Sequence, residues 1–190
     1  MKNKVVVIGG SGFLGSYVAS NLAENNYQTY IYDLKRPKLL LDNQYFIKGD
    51  ISQTDKLLET IKNAKYVYNF AALADLDMAQ NKPRLTAEIN IMGNLNALEA
   101  CKIYSVERYI FASSIYVFSK EGGFYRCSKQ SAENYIEEYY KQYKVNYTIL
   151  RYGSLYGKGA DHSNNIYRTI RKGLETNELS YEGNMESIRE

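Results

Sequence analysis

The sequence predicts an α/β protein: a doubly wound parallel sheet with helices on both faces, followed by the start of a small second lobe. Three observations predict it. Short β-branched, apolar runs recur along the chain with helical stretches between them, the alternation that builds a parallel sheet. The first run ends in a glycine-rich turn that opens an amphipathic helix. The residues with chemical potential fall at the C-terminal ends of the runs, where open α/β sheets bind their ligands. With 190 residues and 45% hydrophobic content there is room for one well-packed domain plus part of another. A formal charge of +3, without a basic cluster, gives no reason to expect a nucleic-acid partner. The longest apolar runs fall short of a membrane span.

The first strand is Val5 to Ile8, a continuous apolar run of the kind buried on both faces. Gly10, Gly12 and Gly15 then fit G-x-G-x-x-G, and Gly9, Gly12 and Gly15 fit the wider G-x-x-G-x-x-G. Either spacing lets the turn tighten, the backbone approach a pyrophosphate and the helix pack on the strand. Phe13 and Leu14 open that helix, with Val18 and Leu22 on its inner face. Its N-terminus offers free N–H groups and partial positive charge to a phosphate. The second strand, Gln28 to Tyr32, ends in Asp33. A carboxylate there accepts from both adenosine ribose hydroxyls and repels a 2′-phosphate, so the expected cofactor is NAD rather than NADP, with Lys35 and Arg36 offering a phosphate some compensation. The third strand, Tyr45 to Lys48, leads into Gly49-Asp50-Ile51. Asp50 is expected to accept from the adenine amino group, to cap the helix around 54–63, or both.

A fourth strand, Tyr66 to Phe70, delivers Ala71 and Ala72, small enough for a dinucleotide to lie against the backbone. A long helix over about 84–103 carries Asn90. The fifth strand, Arg108 to Ala112, delivers Ser113 and Ser114, whose hydroxyls can reach a substrate oxygen. The next helix carries Tyr125 and Lys129 and runs to about Tyr143. Four residues apart, they share a helix face, so the ammonium can sit beneath the phenol, favour the phenolate and lower its pKa from about 10. Such a phenol is a general acid/base for a hydroxyl being oxidised or a carbonyl being reduced. A sixth strand, Tyr147 to Leu150, delivers Arg151 and Tyr152. Cys101 and Cys127 fall in predicted helices without metal spacing, and His162 is the one histidine, so no metal site is expected and a Ser-His-Asp triad is disfavoured. The chain enters its first strand within four residues of Met1, and with its two thiols read as reduced it is expected to be cytoplasmic.

Taken together, Gly9-Gly10-Ser11-Gly12-Phe13-Leu14-Gly15, Asp33, Gly49-Asp50-Ile51, Ala71-Ala72, Asn90-Ile91-Met92-Gly93, Ser113-Ser114, Tyr125–Lys129 and Leu150-Arg151-Tyr152 resemble the extended short-chain dehydrogenase/reductases, specifically the NAD-dependent nucleotide-sugar epimerase/dehydratase family. The resemblance implies a Rossmann-like NAD-binding domain over 1–155 and an incomplete substrate-binding lobe over 156–190. It implies Ser114, Tyr125 and Lys129 as the catalytic set, with Lys129 also holding the nicotinamide ribose. The cofactor contacts it implies are Gly9, Gly12, Phe13, Leu14, Gly15, Asp33, Asp50, Ile51, Ala71, Ala72, Asn90, Ser113, Tyr125, Lys129 and Tyr152. For a nucleotide-diphosphate sugar it implies Ser114, Ser154 and Arg189, the arginine meeting the pyrophosphate.

The chain departs from the family pattern at three places. The loop between Ser114 and Tyr125 is short. Ile115-Tyr116 stand where the 4,6-dehydratases carry an acidic residue, which argues against dehydration. Ser154 replaces the usual asparagine after strand six. The resemblance points to an epimerase, with C4 as the expected carbon; a keto-sugar reductase and a non-catalytic dinucleotide-binding module are the other readings. EGNMESIRE resembles the start of a segment that normally continues into the substrate lobe, so the chain reads as C-terminally truncated. The helices over 84–103 and 125–143 resemble the pair that forms a two-subunit four-helix bundle, and Tyr135, Ile136, Tyr139, Tyr140 and Tyr143 offer the second of them more apolar area than one sheet face needs; a homodimer is expected.

Overall fold

A computed structural model describes residues 3–160 and 164–179. The chain divides into two compact units, Met1–Arg151 and Tyr152–Glu190. The first is built on a sheet of six strands: β1 (Lys4–Ile8), β2 (Gln28–Asp33), β3 (Gln44–Lys48), β4 (Tyr66–Asn69), β5 (Arg108–Ser114) and β6 (Tyr147–Tyr152), in the order β3-β2-β1-β4-β5-β6. This is the doubly wound arrangement, with the order reversing between β1 and β4. β1 pairs in parallel with β2 on one side and β4 on the other, Val7 standing opposite both Ile31 and Tyr68. β2–β3 and β4–β5 are also parallel.

Two apolar layers hold the sheet, as the continuous apolar reading of β1 requires. Val6 and Ile8 face a large core with Leu57, Ile61, Leu98, Tyr109, Phe111 and Ile136, while Val5 and Val7 face a smaller one with Ala19, Leu22 and Ile31. Helix α1 (Phe13–Glu24) supplies the smaller layer. Helices α2 (Thr54–Ile61), α5 (Gly93–Ile103) and α6 (Gly123–Tyr143) supply the larger one.

Three features between the strands depart from expectation. The helix expected over 84–103 is α4 (Pro83–Ala87), a π-helical turn over Glu88–Met92 that carries Asn90, and then α5. A short helix α3 (Leu76–Asn81) precedes it, capped by Asp75, whose carboxylate accepts from the Met78 amide at 2.8 Å. A 3-10 turn over Ile115–Phe118 follows Ser114 directly. In the second unit, α7 (Asn165–Thr176) starts at Asn164, whose side chain accepts from the Tyr167 amide at 3.0 Å. Among the described residues no helix is long and apolar enough to cross a membrane, and no group of three or more His, Cys, Asp or Glu could hold a metal ion.

Candidate active site

The C-terminal ends of β1, β2, β4 and β5 meet at the point where the strand order reverses. Gly9 leaves β1 at φ +75, a left-handed conformation that glycine adopts without strain. A Cβ on Gly9 would stand 2.6 Å from the Ala71 amide nitrogen, and one on Gly15 would stand 2.2 Å from the Gly9 carbonyl oxygen. The turn, the start of α1 and the end of β4 therefore approach one another backbone to backbone. Gly12, the N-cap of α1, provides no side-chain hydrogen bond to the helix, so the N–H groups of its first turn are left for a ligand. The buried Ser11 Oγ has no partner. A glycine-rich turn, an uncapped helix start and an orphaned hydroxyl fit a pyrophosphate.

Asp33 already holds this turn: its carboxylate accepts from the Ser11 amide at 3.0 Å and from the Lys35 amide at 3.1 Å. A carboxylate has about four lone-pair sites, so capacity for ribose hydroxyls remains. The expectation for Asp50 as a helix cap needs correction. Gln53 is the N-cap of α2, and the Asp50 carboxylate turns instead onto the Ser52 amide and hydroxyl, at 2.9 and 2.8 Å. Ile51 is part of the core: a Cβ on Gly93 would lie 2.6 Å from its Cγ2, and its carbonyl accepts from Asn96 at 3.0 Å. Phe13 and Leu14 open α1 and are half-buried, Phe13 edge-on to Tyr17.

Beneath Ala71 and Ala72 runs a buried polar chain that the sequence reading missed. The Ala71 amide donates to Asn69 at 3.1 Å, Asn69 donates to the Tyr109 hydroxyl at 2.8 Å, and that hydroxyl donates to Asn94 at 2.7 Å. It spans β4, β5 and α5, so no local spacing could have shown it. Asn90 is tied into the protein itself. Its side chain accepts from the Leu73 amide at 2.8 Å and donates to the Leu73 carbonyl at 3.1 Å and to Ser128 Oγ at 2.9 Å. With both amide hydrogens used, Asn90 fastens the loop after β4 to α6 and has no donor to spare for a cofactor.

The catalytic candidates converge at the end of β5 and the start of α6. Ser114 stands near enough to the Tyr125 phenol to draw its pKa down, and its hydroxyl accepts from the Tyr116 amide at 3.3 Å. Lys129 Nζ lies 5.8 Å from the Tyr125 ring centroid and 4.6 Å from that of Phe111, and donates to the Ala112 carbonyl at 2.7 Å. The phenol's pKa departs from expectation. Burial raises the Tyr125 pKa, Ser114 opposing it and the neighbouring Tyr116 adding to it. Burial likewise lowers Lys129 to about 8, with Glu133 opposing. Desolvation is therefore the largest influence on both groups.

Ser113 does not join Ser114. Successive strand residues face opposite ways, so Ser113 lies on the side of Tyr109 and Phe111, and its hydroxyl donates to Glu133. Glu133 in turn accepts from Arg151 Nη2 at 2.8 Å. The sequence reading missed Glu133, although its place four residues after Lys129 was a usable signal. Tyr152 and Ser154 belong to the second unit, where Tyr152 ends β6 half-buried and Ser154 is exposed. Arg189 and His162 lie outside the described residues.

Comparison with known proteins gives the family. Residues 5–190 match the model of the NAD dependent epimerase/dehydratase family. A putative UDP-glucose 4-epimerase from Methanocaldococcus jannaschii is 31% identical over 176 residues, covering 83% of this chain and 57% of its own. The human dTDP-D-glucose 4,6-dehydratase is 28% identical, over 81% of this chain and 51% of its own. Among solved structures, the Thermus thermophilus UDP-glucose 4-epimerase in complex with NAD superposes with a TM-score of 0.81 at 28% identity, covering 90% of this chain and 63% of that one. The UDP-glucuronic acid 4-epimerase of Bacillus cereus, in complex with UDP-glucuronic acid and NAD, gives 0.82 at 27%, with the same coverage. The chain belongs to the NAD-dependent epimerase/dehydratase family and has its Rossmann-like fold, and it spans between half and two thirds of these relatives' lengths.

Proposed function

We propose that the full gene product, and not this chain by itself, carries out the NAD-dependent epimerisation of a nucleotide-diphosphate sugar at C4, through transient oxidation to a keto sugar. The observation that carries the reading is the convergence of Ser114, Tyr125 and Lys129 at the same C-terminal sheet edge as a glycine turn that fits a pyrophosphate. NAD would be held by the turn from Gly9 to Gly15, by Asp33 and by Lys129, and supplies a reversible hydride acceptor with a positively charged ring. Ser114 orients the sugar hydroxyl by hydrogen bonding. Tyr125 takes that hydroxyl's proton as the carbonyl forms and gives it back as the carbonyl is reduced from the other face. Lys129 keeps positive charge under the phenol in both directions.

Both epimerases and dehydratases are among the relatives, and the residues after Ser114 favour epimerisation. Ile115 has no proton for a leaving hydroxyl, and Tyr116 packs edge-on against Tyr125 with centroids 6.3 Å apart. The same reading places the protein in the cytoplasm and includes a homodimer through α5 and α6. The test uses the full product of the gene. With NAD and UDP-glucose it should yield the 4-epimer, followed by chromatography, without accumulating NADH. Net NADH formation with a keto product favours the reductase reading. NAD binding without any turnover across nucleotide sugars favours the non-catalytic module. Titration with NADP should show much weaker binding than NAD, because Asp33 meets the 2′-phosphate.

A further inference from the structure

Glu133 is a buried carboxylate that the chemistry above does not use. It stands one helical turn after Lys129 on the same face of α6 and is 7% exposed, while Lys129 is 3% exposed. Its oxygens are engaged from two strands. Ser113, at the end of β5, donates its hydroxyl. Arg151, on β6, lays a fork across both oxygens, Nε at 3.0 and 3.3 Å and Nη2 at 2.8 Å. The residue before Ser113 is Ala112, whose carbonyl receives the Lys129 ammonium, and the residue after it is Ser114. One carboxylate thus ties α6 to the strand end from which both Ala112 and Ser114 reach the site.

The electrostatics point the same way. On α6, Lys129 faces Tyr125 and Glu133; from β6 the Arg151 guanidinium stands beyond Glu133; from the 3-10 turn Tyr116 approaches through Tyr125. From β5 come the neutral Ala112 carbonyl and the Phe111 ring. A buried ammonium with one neutral acceptor is costly unless a negative charge lies close, and Glu133 is the charged side chain whose field raises the Lys129 pKa. Arg151 itself remains partly exposed, its guanidinium 4.8 Å from the Phe118 ring centroid. It therefore has no need of a buried carboxylate on its own account.

We infer that Glu133 is a positioning residue for Lys129 and Ser114: its charge keeps the buried ammonium protonated, and its grip on Ser113 and Arg151 sets the strand end against α6. The inference rests on the proposed role of Lys129, but its test needs no turnover. In protein carrying isotopically labelled lysine, the Lys129 signal is assigned by its loss in Lys129→Arg and followed by NMR across pH. Glu133→Gln keeps the shape and removes the charge, so the Lys129 midpoint should fall by about one unit or more, the worth of a close opposite charge. Arg151→Gln removes a competing cation, so the midpoint should rise. An unchanged Lys129 midpoint in folded Glu133→Gln overturns the inference. Should Glu133→Gln fail to fold, Arg151→Gln decides alone: a rise supports the inference, and no change or a fall overturns it. A shifted midpoint in a protein without epimerase turnover would leave the inference standing and remove only the reaction assigned above.

Discussion

Tyr125 carries its proton in the unliganded chain, because burial costs the phenolate more than Ser114 returns. A protonated phenol suits the return half of the reaction; the outward half needs a base. The positive charge of oxidised NAD favours the phenolate, so the Tyr125 pKa should lie above 10 in the free protein and fall when NAD is added. NMR of ring-labelled tyrosine, assigned with Tyr125→Phe, reads both values, and an unchanged pKa would sink the argument. In the full gene product Tyr125→Phe should lower turnover by roughly 10²–10⁴-fold, the usual worth of a positioned acid/base, while NAD affinity is kept. Lys129 yields a separate test. Its pKa falls from 10.5 to about 8 on folding, so between these values the unfolded chain binds the extra proton. Stability then rises with pH through that window, and the destabilisation is fully present below about pH 8. In Lys129→Met this rise should vanish, read as the difference between the two proteins' urea midpoints across the window. Parallel pH dependences would show that Lys129 is not desolvated. The same variant should bind NAD more weakly, as the proposed hold of Lys129 on the nicotinamide ribose requires.

At the level of elements, the turn between β1 and α1 is the most constrained piece of backbone. Gly15→Ala would place a methyl 2.2 Å from the Gly9 carbonyl oxygen, a backbone atom that cannot step aside without moving the turn. Overpacking of this kind costs about 1–3 kcal/mol. The variant should melt lower and lose dinucleotide affinity together, by calorimetry and NAD titration; a variant that keeps both would show that the turn is looser than drawn. The strands and the main helices were legible in the sequence, because buried parallel strands read as unbroken apolar runs and each ends in its own polar signature. The π-helical turn at Asn90 was not legible, since a single wide turn leaves the apolar pattern of a long helix almost unchanged. The short helix Leu76–Asn81 is too brief for periodicity, and only the Asp75 cap announces it. The bond from Ser113 to Glu133 was hidden for a different reason: strand alternation separates Ser113 from Ser114, and the motif shows them as a pair. The raised Tyr125 pKa could not be read either, because burial depends on the whole packing around the residue and not on its spacing from Lys129.

For the whole molecule, the central question is which apolar surface the folded chain leaves uncovered. On α6, Ile136 is fully buried and Tyr139 is half-buried with its hydroxyl on Glu99, so this pair covers the core as a single chain requires. Tyr135 and Tyr143 stay 46% and 54% exposed on the same helix, and 55% exposure is shared by Met92, at the end of the π-helical turn before α5, and Ile103, at the end of α5. One chain therefore needs only part of the apolar area that α5 and α6 present, and two such faces related by a two-fold axis would cover the remainder. Because both helices lie in the first unit, the association should survive in this chain alone. Light scattering at micromolar concentration should give twice the chain mass. Replacing Met92 and Tyr135 together by Glu should give a monomer with an unchanged NAD affinity, since neither side chain lies at the glycine turn or beside Tyr125. A monomeric parent chain would refute the dimer, and loss of NAD binding along with the dimer would mean instead that these side chains support the fold from within.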